Sequence, residues 1–251
     1  MEKVVEFQNL VSDLFSKIVE TNTESFSAGA KVLADAIEKD RIINIIGTGG
    51  HSSIGAEELF LRAGSLANIN AILDGGVNLI HGARRSLSIE RIPGYSEYFF
   101  DFYDLKAGDP LIISNAYGIN CFSLDLALGA KKRGITTIGI TSKEFANFVP
   151  NGHPARHPSG KKLYENVDVF INCWLPLNDA AVSIDGVPHK IGPLSTLINV
   201  FCLHSLIIAS VSECVKRGIK DIPIYASANM PDGDRLNQSL LDKYKSRIKF
   251  L

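Results

Sequence analysis

The sequence predicts an α/β protein, a parallel sheet with helices on both faces and a helical N-terminal extension. Three observations carry this. Short apolar runs rich in β-branched residues alternate with stretches of helical periodicity, and that alternation implies parallel strands joined by crossover helices. The runs are continuously apolar, as strands buried on both faces are. Finally, 251 residues, 45% of them hydrophobic, bury a large core and exclude a disordered chain.

The elements follow in order. Val4, Val5, Leu10, Val11, Leu14, Phe15, Ile18 and Val19 recur at helical spacing, which predicts a first helix. The turn Thr21-Asn22-Thr23 separates it from a second, carried by Phe26, Ala30, Leu33, Ala34 and Ile37. Five strands are predicted at Arg41–Gly47, Ile69–Leu73, Pro110–Asn115, Gly134–Ser142 and Val167–Trp174. Helices are predicted over Ser52–Ala67, about Asn120–Arg133, and Pro193–Lys216, with Pro193 at a permitted first-turn position. The segment Ser142–Lys162 has no periodicity and is read as a long functional loop. No boundary divides the chain. It is read as one domain, with N-terminal helices over 1–40, the sheet core over 41–217 and a C-terminal tail over 218–251.

Composition narrows the partners. Lys plus Arg number 26 and Asp plus Glu 27, for a net charge of -1. No general field exists for nucleic acid or an anionic membrane, so neither is an expected partner. An anion must be caught by a local site. The N-terminus has acids within an amphipathic pattern, not a basic cap on an apolar block. The apolar stretch Leu197–Val211 is broken by Asn199, His204 and Ser205 and reads as a buried helix, not a span of roughly 20 residues. The four cysteines form no C-x-x-C pair and are read as reduced thiols. A cytoplasmic location is expected.

Two loops have the character of anion sites. Gly47-Thr48-Gly49-Gly50-His51-Ser52-Ser53 and Ser114-Asn115-Ala116-Tyr117-Gly118-Ile119-Asn120 each join a strand to a helix. In open α/β sheets, ligands sit beyond the carboxyl ends of the strands. Glycines admit a ligand close to the backbone, and free N–H groups at a helix start favour an anion. Ser53 and Asn120 would also serve simply as helix caps. Neither loop has the Gly-Lys-Ser/Thr ending of a P-loop. Ser52 stands where a dinucleotide fingerprint needs its third glycine. Nucleoside triphosphates and NAD are therefore disfavoured, and no cofactor is expected.

At these residues the chain resembles the SIS (sugar isomerase) domain family, and within it a phosphoheptose-isomerase-like subgroup. The resemblance is carried by IIGTGGHSS and AEELFLRAG, and by PLIISNAYGIN with ALGAKKRGITTIGITS. It continues through IHGARRSLSIERIPGYS, HPSGKKLYENVDVFIN, NDAAVSIDGVPHKIGPLST and SANMPDGDRLNQ. It implies a three-layer αβα sandwich with five parallel strands in flavodoxin-like order, a homodimer or higher oligomer, and a sugar-phosphate ligand. It places phosphate donors at Ser114, Asn115 and Asn120, with Ser52 or Ser53 from the first loop, whose Gly49 and Gly50 are candidate ligand contacts through their open backbone. Ala116 stands where a second serine is usual, and the second loop is about one residue longer than the family pattern.

Two catalytic candidates follow from the same resemblance, and the others from the residues themselves. Aldose–ketose isomerisation moves a proton between adjacent carbons, work that a carboxylate and a histidine can divide. The resemblance implies Glu58 as base and His204 as its partner. Arg62, four residues after Glu58, also fits an ordinary helix ion pair, and His204 also fits a core histidine. His51 in the first loop is a candidate for opening the sugar ring. His81, close to Arg84 and Arg85, and Asp179 are candidates for sugar contacts, against readings as a solvated basic turn and an Asx turn. Lys161 in Ser159-Gly160-Lys161-Lys162 is expected to anchor a lid or reach the phosphate. His153 and His157 lie four apart, but Pro154 and Pro158 exclude a regular helix, so no metal site is expected. The expected function is a sugar-phosphate isomerase. The alternatives are a non-catalytic phosphosugar sensor, and an amino-sugar-phosphate deaminase or an etherase-type lyase.

Overall fold

The computed structural model describes residues 1–251. Two helices lead the chain, α1 at Glu2–Thr21 and α2 at Thr23–Glu38. Asn22 fixes the turn between them. Its Nδ2 donates to the carbonyls of Ile18 at 2.8 Å and Asn172 at 3.0 Å, and its Oδ1 accepts from Asn172 N at 2.7 Å. The strands β1 (Ile43–Gly47), β2 (Ile69–Ile72), β3 (Leu111–Ser114), β4 (Thr137–Thr141) and β5 (Val169–Asn172) form one sheet. Its order is β2-β1-β3-β4-β5, all parallel, the expected flavodoxin-like arrangement.

Alternate residues of these strands feed cores on opposite faces. Ile43, Ile45, Ala71, Ile112, Ile138 and Ile171 face one; Ile46, Ile72, Leu111 and Ile113 face the other. That division explains the continuous apolar runs. The first core is covered by α2, α3 (Ser53–Leu59) and α8 (Ser195–Lys216), and the second by α5 (Glu97–Phe102) and α6 (Cys121–Lys132).

Several expectations are corrected. The helix predicted over Ser52–Ala67 stops at Leu59. Phe60 is extended, Leu61 has φ 46° and Gly64 φ 80°, so the chain turns before β2. The long loop contains a short helix, α7 at Lys143–Phe148. Its remainder is held by the buried Arg156, which donates to the carbonyls of Val149 at 2.6 Å and Gly160 at 3.3 Å. Further elements are α4 (Ala83–Ile89), a 3-10 turn at Leu163–Glu165, and the antiparallel pair β6 (Ala180–Val182) and β7 (Ile191–Pro193). The tail forms α9 at Gly233–Tyr244. The chain leading to it is tied down, with Tyr225 N donating to Ser65 O at 3.0 Å and Ala67 N to Pro223 O at 2.7 Å.

The apolar helix α8 is longer than its uninterrupted run, at 22 residues. That is about 33 Å at 1.5 Å per residue, long and apolar enough to cross a bilayer. It buries Ile198, Cys202, Leu203, Leu206, Ile207 and Cys214 within the protein, as a core helix does.

Candidate functional site

β1 and β3 are neighbours, while the crossovers from them lead to opposite sides of the sheet. Their carboxyl ends are thus the switch point where an open α/β sheet offers a crevice. The two loops leave from there, and Thr48 laces them together. Its carbonyl accepts from Asn115 Nδ2 and from Asn120 Nδ2, each at 2.8 Å, and its hydroxyl is hydrogen-bonded to that of Ser123. Asn115 Oδ1 accepts from the N–H groups of Tyr117 at 3.1 Å and Gly118 at 3.0 Å. Asn120 caps α6 by accepting from Ser123 N at 2.8 Å, the role its residue type favours.

The free N–H groups expected at the start of α3 are in use. Ser53 N donates to Gly49 O at 3.1 Å, Ile54 N to His51 O at 3.3 Å, and Gly55 N to Ser52 O at 3.3 Å. Ser53 Oγ donates to Gly50 O at 2.7 Å. The first loop closes on itself.

Ser114 sits at the end of β3, fully buried, and its hydroxyl has no hydrogen-bond partner. Buried hydroxyls are ordinarily paired, and an orphan at a ligand crevice marks a place for a further polar atom. Above it, α3 and α8 touch at Gly55. A methyl group there would lie 2.7 Å from Leu203 Cδ1 and 4.0 Å from Ser114 Oγ. One turn along α3, and one residue along α8, are Glu58 and His204. Glu58 Oε1 lies 3.2 Å from His204 Nε2 and 3.3 Å from Arg62 Nη2. The pair expected from the resemblance is therefore present, and Arg62, which lies beyond the end of α3 and not on the helix as expected, shares the same carboxylate. Glu58 is 26% exposed and His204 40%, so both are within reach of a ligand.

A second carboxylate has no role assigned by the sequence. Glu90 ends α4, and its backbone carbonyl accepts from Phe122 N at 3.1 Å. Its side chain lies among the loop residues. Asn120 Nδ2 donates to its Oε2 at 3.4 Å. A methyl group at Gly49 would be 2.6 Å from that oxygen, 3.4 Å from Asn115 Nδ2 and 3.7 Å from Ser52 Oγ. Burial raises the Glu90 carboxyl to about 7, against smaller downward pulls from Arg91 and Asn120. Its one signal is the glutamate of SLSIERIPGYS, part of a motif that carries the resemblance.

None of the other candidates hydrogen-bonds to Glu58, His204, Ser114 or Glu90. His51 is exposed on the first loop and its side chain bonds to nothing. Leu79 closes over Gly50 and leaves no room for a methyl group there, while His81 two residues on is exposed. Asp179 is committed structurally. Its Oδ1 accepts from Leu194 N at 3.0 Å and Ser195 N at 2.8 Å, and its Oδ2 from Tyr117 Oη at 2.8 Å and Ser195 Oγ at 3.0 Å. It caps α8 and anchors Tyr117, whose hydroxyl is pushed upward by burial and then by Asp179. The Lys161 side chain is exposed and unpaired, but Leu163 N holds this segment to Gly118 O in the second loop at 2.9 Å. His157 lies 3.1 Å from Asp125 and 2.7 Å from Ser159 Oγ, and His153 Nδ1 accepts from Ala155 N at 3.2 Å.

Strand order and the two polar loops at the switch point define a doubly wound α/β protein of the flavodoxin-like class. The chain belongs to the SIS domain family, which residues 6–142 match. It is 32% identical to a UPF0309 protein of Oceanobacillus iheyensis over 252 aligned residues, covering 100% of each chain. It is 35% identical to one of Brucella canis, covering 87% of this chain and 86% of that one. Among solved structures, it resembles the phosphoheptose isomerase of Neisseria gonorrhoeae with TM-score 0.50 and 14% identity, covering 84% and 98% of the two chains. It resembles an Escherichia coli protein solved in complex with a sugar phosphate to the same TM-score, 0.50, at 14% identity, covering 87% and 91%. At these identities the resemblance is one of fold.

Proposed function

We propose that the chain binds a sugar phosphate at the carboxyl ends of β1 and β3 and interconverts an aldose and a ketose. The observation that carries this reading is the Glu58–His204 pair, 3.2 Å apart though 146 residues apart in sequence, on two helices that meet at Gly55, which packs close to the unpartnered Ser114 hydroxyl. The Glu58 carboxylate takes a proton from the carbon next to the sugar carbonyl. His204 gives a proton to the carbonyl oxygen as the enediol forms. Glu58 then returns its proton to the neighbouring carbon, and His204 recovers one from the adjacent hydroxyl. Glu90 adds a carboxyl that is part protonated near pH 7, able to donate to a sugar or phosphate oxygen without opposing the ligand's charge. Ser114, Ser52, Asn115 and Asn120 are the assigned phosphate contacts, with Lys161 on the segment pinned beside them.

We further read the whole chain, 1–251, as one cytoplasmic unit that forms a homodimer or higher oligomer. Val4, Val5, Leu10 and Val19 on α1 and Leu197, Ile208 and Val215 on α8 leave apolar surface exposed, which a second copy would cover.

The test is incubation with a panel of aldose and ketose phosphates in deuterated water, read by NMR and mass spectrometry. Isomerisation with deuterium at the exchanged carbon is expected. Glu58→Gln lowers kcat by roughly two to four orders of magnitude and leaves KM within a few-fold. Binding with no turnover of any sugar phosphate would replace this reading with a sensor. Release of ammonia or of an ether substituent would replace it with a deaminase or a lyase.

A further inference from the structure

A polar cleft lies at the other end of the sheet and belongs to no part of the site above. It has a volume of about 630 Å³, within the roughly 300–1,000 Å³ of small-molecule sites. Its walls come from the approach to β1, the segment joining α5 to β3, and the residues that follow α9. Six cations line it, Lys39, Arg41, Lys106, Lys245, Arg247 and Lys249, against three carboxylates, Asp40, Asp104 and Asp109. The chain as a whole has net charge -1, so this is a local concentration of positive charge.

Half of these cations are already neutralised. Arg247 lies 2.9 Å from Asp40, Lys245 2.6 Å from Asp242, and Lys106 is paired with Asp104. Lys39, Arg41 and Lys249 have no carboxylate within the 4.0 Å of an ion pair. The Lys249 ammonium sits 3.4 Å from the centre of the Phe102 ring and donates to the Phe102 carbonyl at 3.0 Å. That contact holds the cation in place while leaving its charge uncompensated.

The cleft also reaches two buried amides. Asn44 and Asn70 line it at 2% and 3% exposure, side by side on β1 and β2. Asn70 Nδ2 donates to Asn44 Oδ1 at 2.8 Å. Asn70 Oδ1 is buried with no partner. An uncompensated buried amide oxygen costs stability unless a further polar group meets it.

We propose that this cleft binds a small di- or triphosphate anion, with Lys39, Arg41 and Lys249 around the phosphates and the Asn44–Asn70 pair facing the other end of the ligand. The three unpaired cations match more charge than one orthophosphate offers. Asp40, Asp104 and Asp109 among them would repel the continuous backbone of a nucleic acid, so a compact ligand is favoured. A pyrophosphate ion and a nucleoside di- or triphosphate share the phosphate chemistry, while only a nucleoside also brings an N–H or O–H donor for the Asn70 oxygen. The proposal is independent of the sugar-phosphate reading, which concerns the opposite ends of the strands.

Titration calorimetry of the full chain with pyrophosphate, ADP, ATP and orthophosphate, at low and physiological ionic strength, tests it. Pyrophosphate or the nucleotides are expected to bind with one site per chain, at least tenfold more tightly than orthophosphate, and more weakly as salt rises. Arg41→Ser and Lys249→Ser, both at exposed positions, should each weaken binding by about tenfold or more, with melting temperatures close to that of the parent. ADP binding tenfold tighter than pyrophosphate would identify a nucleotide; equal affinity would identify the inorganic ion. Absence of binding by all of these at millimolar concentration would overturn the proposal. So would unchanged affinity in both variants, or a single-stranded oligonucleotide binding where the small anions do not.

Discussion

Glu90→Gln separates a buried acid from a merely polar loop residue. Burial moves this carboxyl from 4.5 to about 7. The raised value means that the folded protein holds the proton more tightly than the unfolded chain. Below the unfolded value, near 4.5, both states are protonated and Glu90 costs nothing. As pH rises from about 4.5 toward 7, the unfolded chain ionises first and the folded state loses stability. Above about 7 both are ionised and the loss is constant. At about 1.4 kcal/mol per pH unit, the interval from 4.5 to about 7 corresponds to about 3 kcal/mol. Glutamine keeps the shape and stays neutral at every pH. E90Q should therefore unfold at nearly the parent's urea midpoint at pH 4.5, and become more stable than the parent by up to about 3 kcal/mol at pH 8. A difference that does not grow with pH would refute the burial argument. The same logic reaches the ligand. If Glu90 faces a bound phosphate, the parent's affinity falls as pH rises through 7 while that of E90Q stays level.

Ser114→Ala should weaken sugar-phosphate binding by roughly 1–3 kcal/mol while leaving the unligated protein as stable or slightly more so, since the hydroxyl it removes is buried and unpaired; calorimetry and thermal melts read the two separately. Asp179→Ala should destabilise the fold by about 2 kcal/mol, because it removes four hydrogen bonds at the start of α8 and beside Tyr117; a variant with parental stability and altered sugar affinity would instead make Asp179 a ligand contact. Light scattering at micromolar concentration should give a dimer or larger, and a monomer would remove the proposed interface along α1 and α8.

The sheet is legible in the sequence because its signal is local. Each of the five strands is a short apolar run with small or polar residues at or near its end, and in β1 to β4 burial on both faces leaves no alternation to misread. The short helices are not legible. The helices α4, α5 and α7 span only six or seven residues, too few for a period of 3.6 to repeat. The overlong prediction for α3 follows Phe60 and Leu61, which continue the apolar pattern although Phe60 is extended and Leu61 has φ 46°. At the site, local pattern locates both loops. It cannot join Glu58 to His204, since their approach depends on how α3 packs on α8; only the family resemblance links them. Glu90 escapes for a related reason. Its distinction is burial against the first loop, a tertiary fact that leaves no periodic trace around residue 90.

The loop hydrogen bonds set the order in which a ligand can engage. Three N–H groups at the start of α3 are satisfied by the carbonyls of Gly49, His51 and Ser52, and the Asn115 and Asn120 amides are committed to Thr48. A phosphate gains little from donors already matched unless the loop opens, and opening it costs those bonds. Two groups require no such exchange: the Ser114 hydroxyl, which has no partner, and Glu90, whose contact with Asn120 is long at 3.4 Å. Ser114 is fully buried, so a ligand reaches it only past the loops that cover it, and its hydroxyl then gains a hydrogen bond without losing one of its own. Glu90 then decides the rest. Ionised, it occupies the neighbourhood of Gly49 with the same charge as the phosphate; protonated, it offers a donor there. The pH at which this carboxyl changes state should therefore mark the midpoint of ligand affinity. In E90Q that midpoint should vanish.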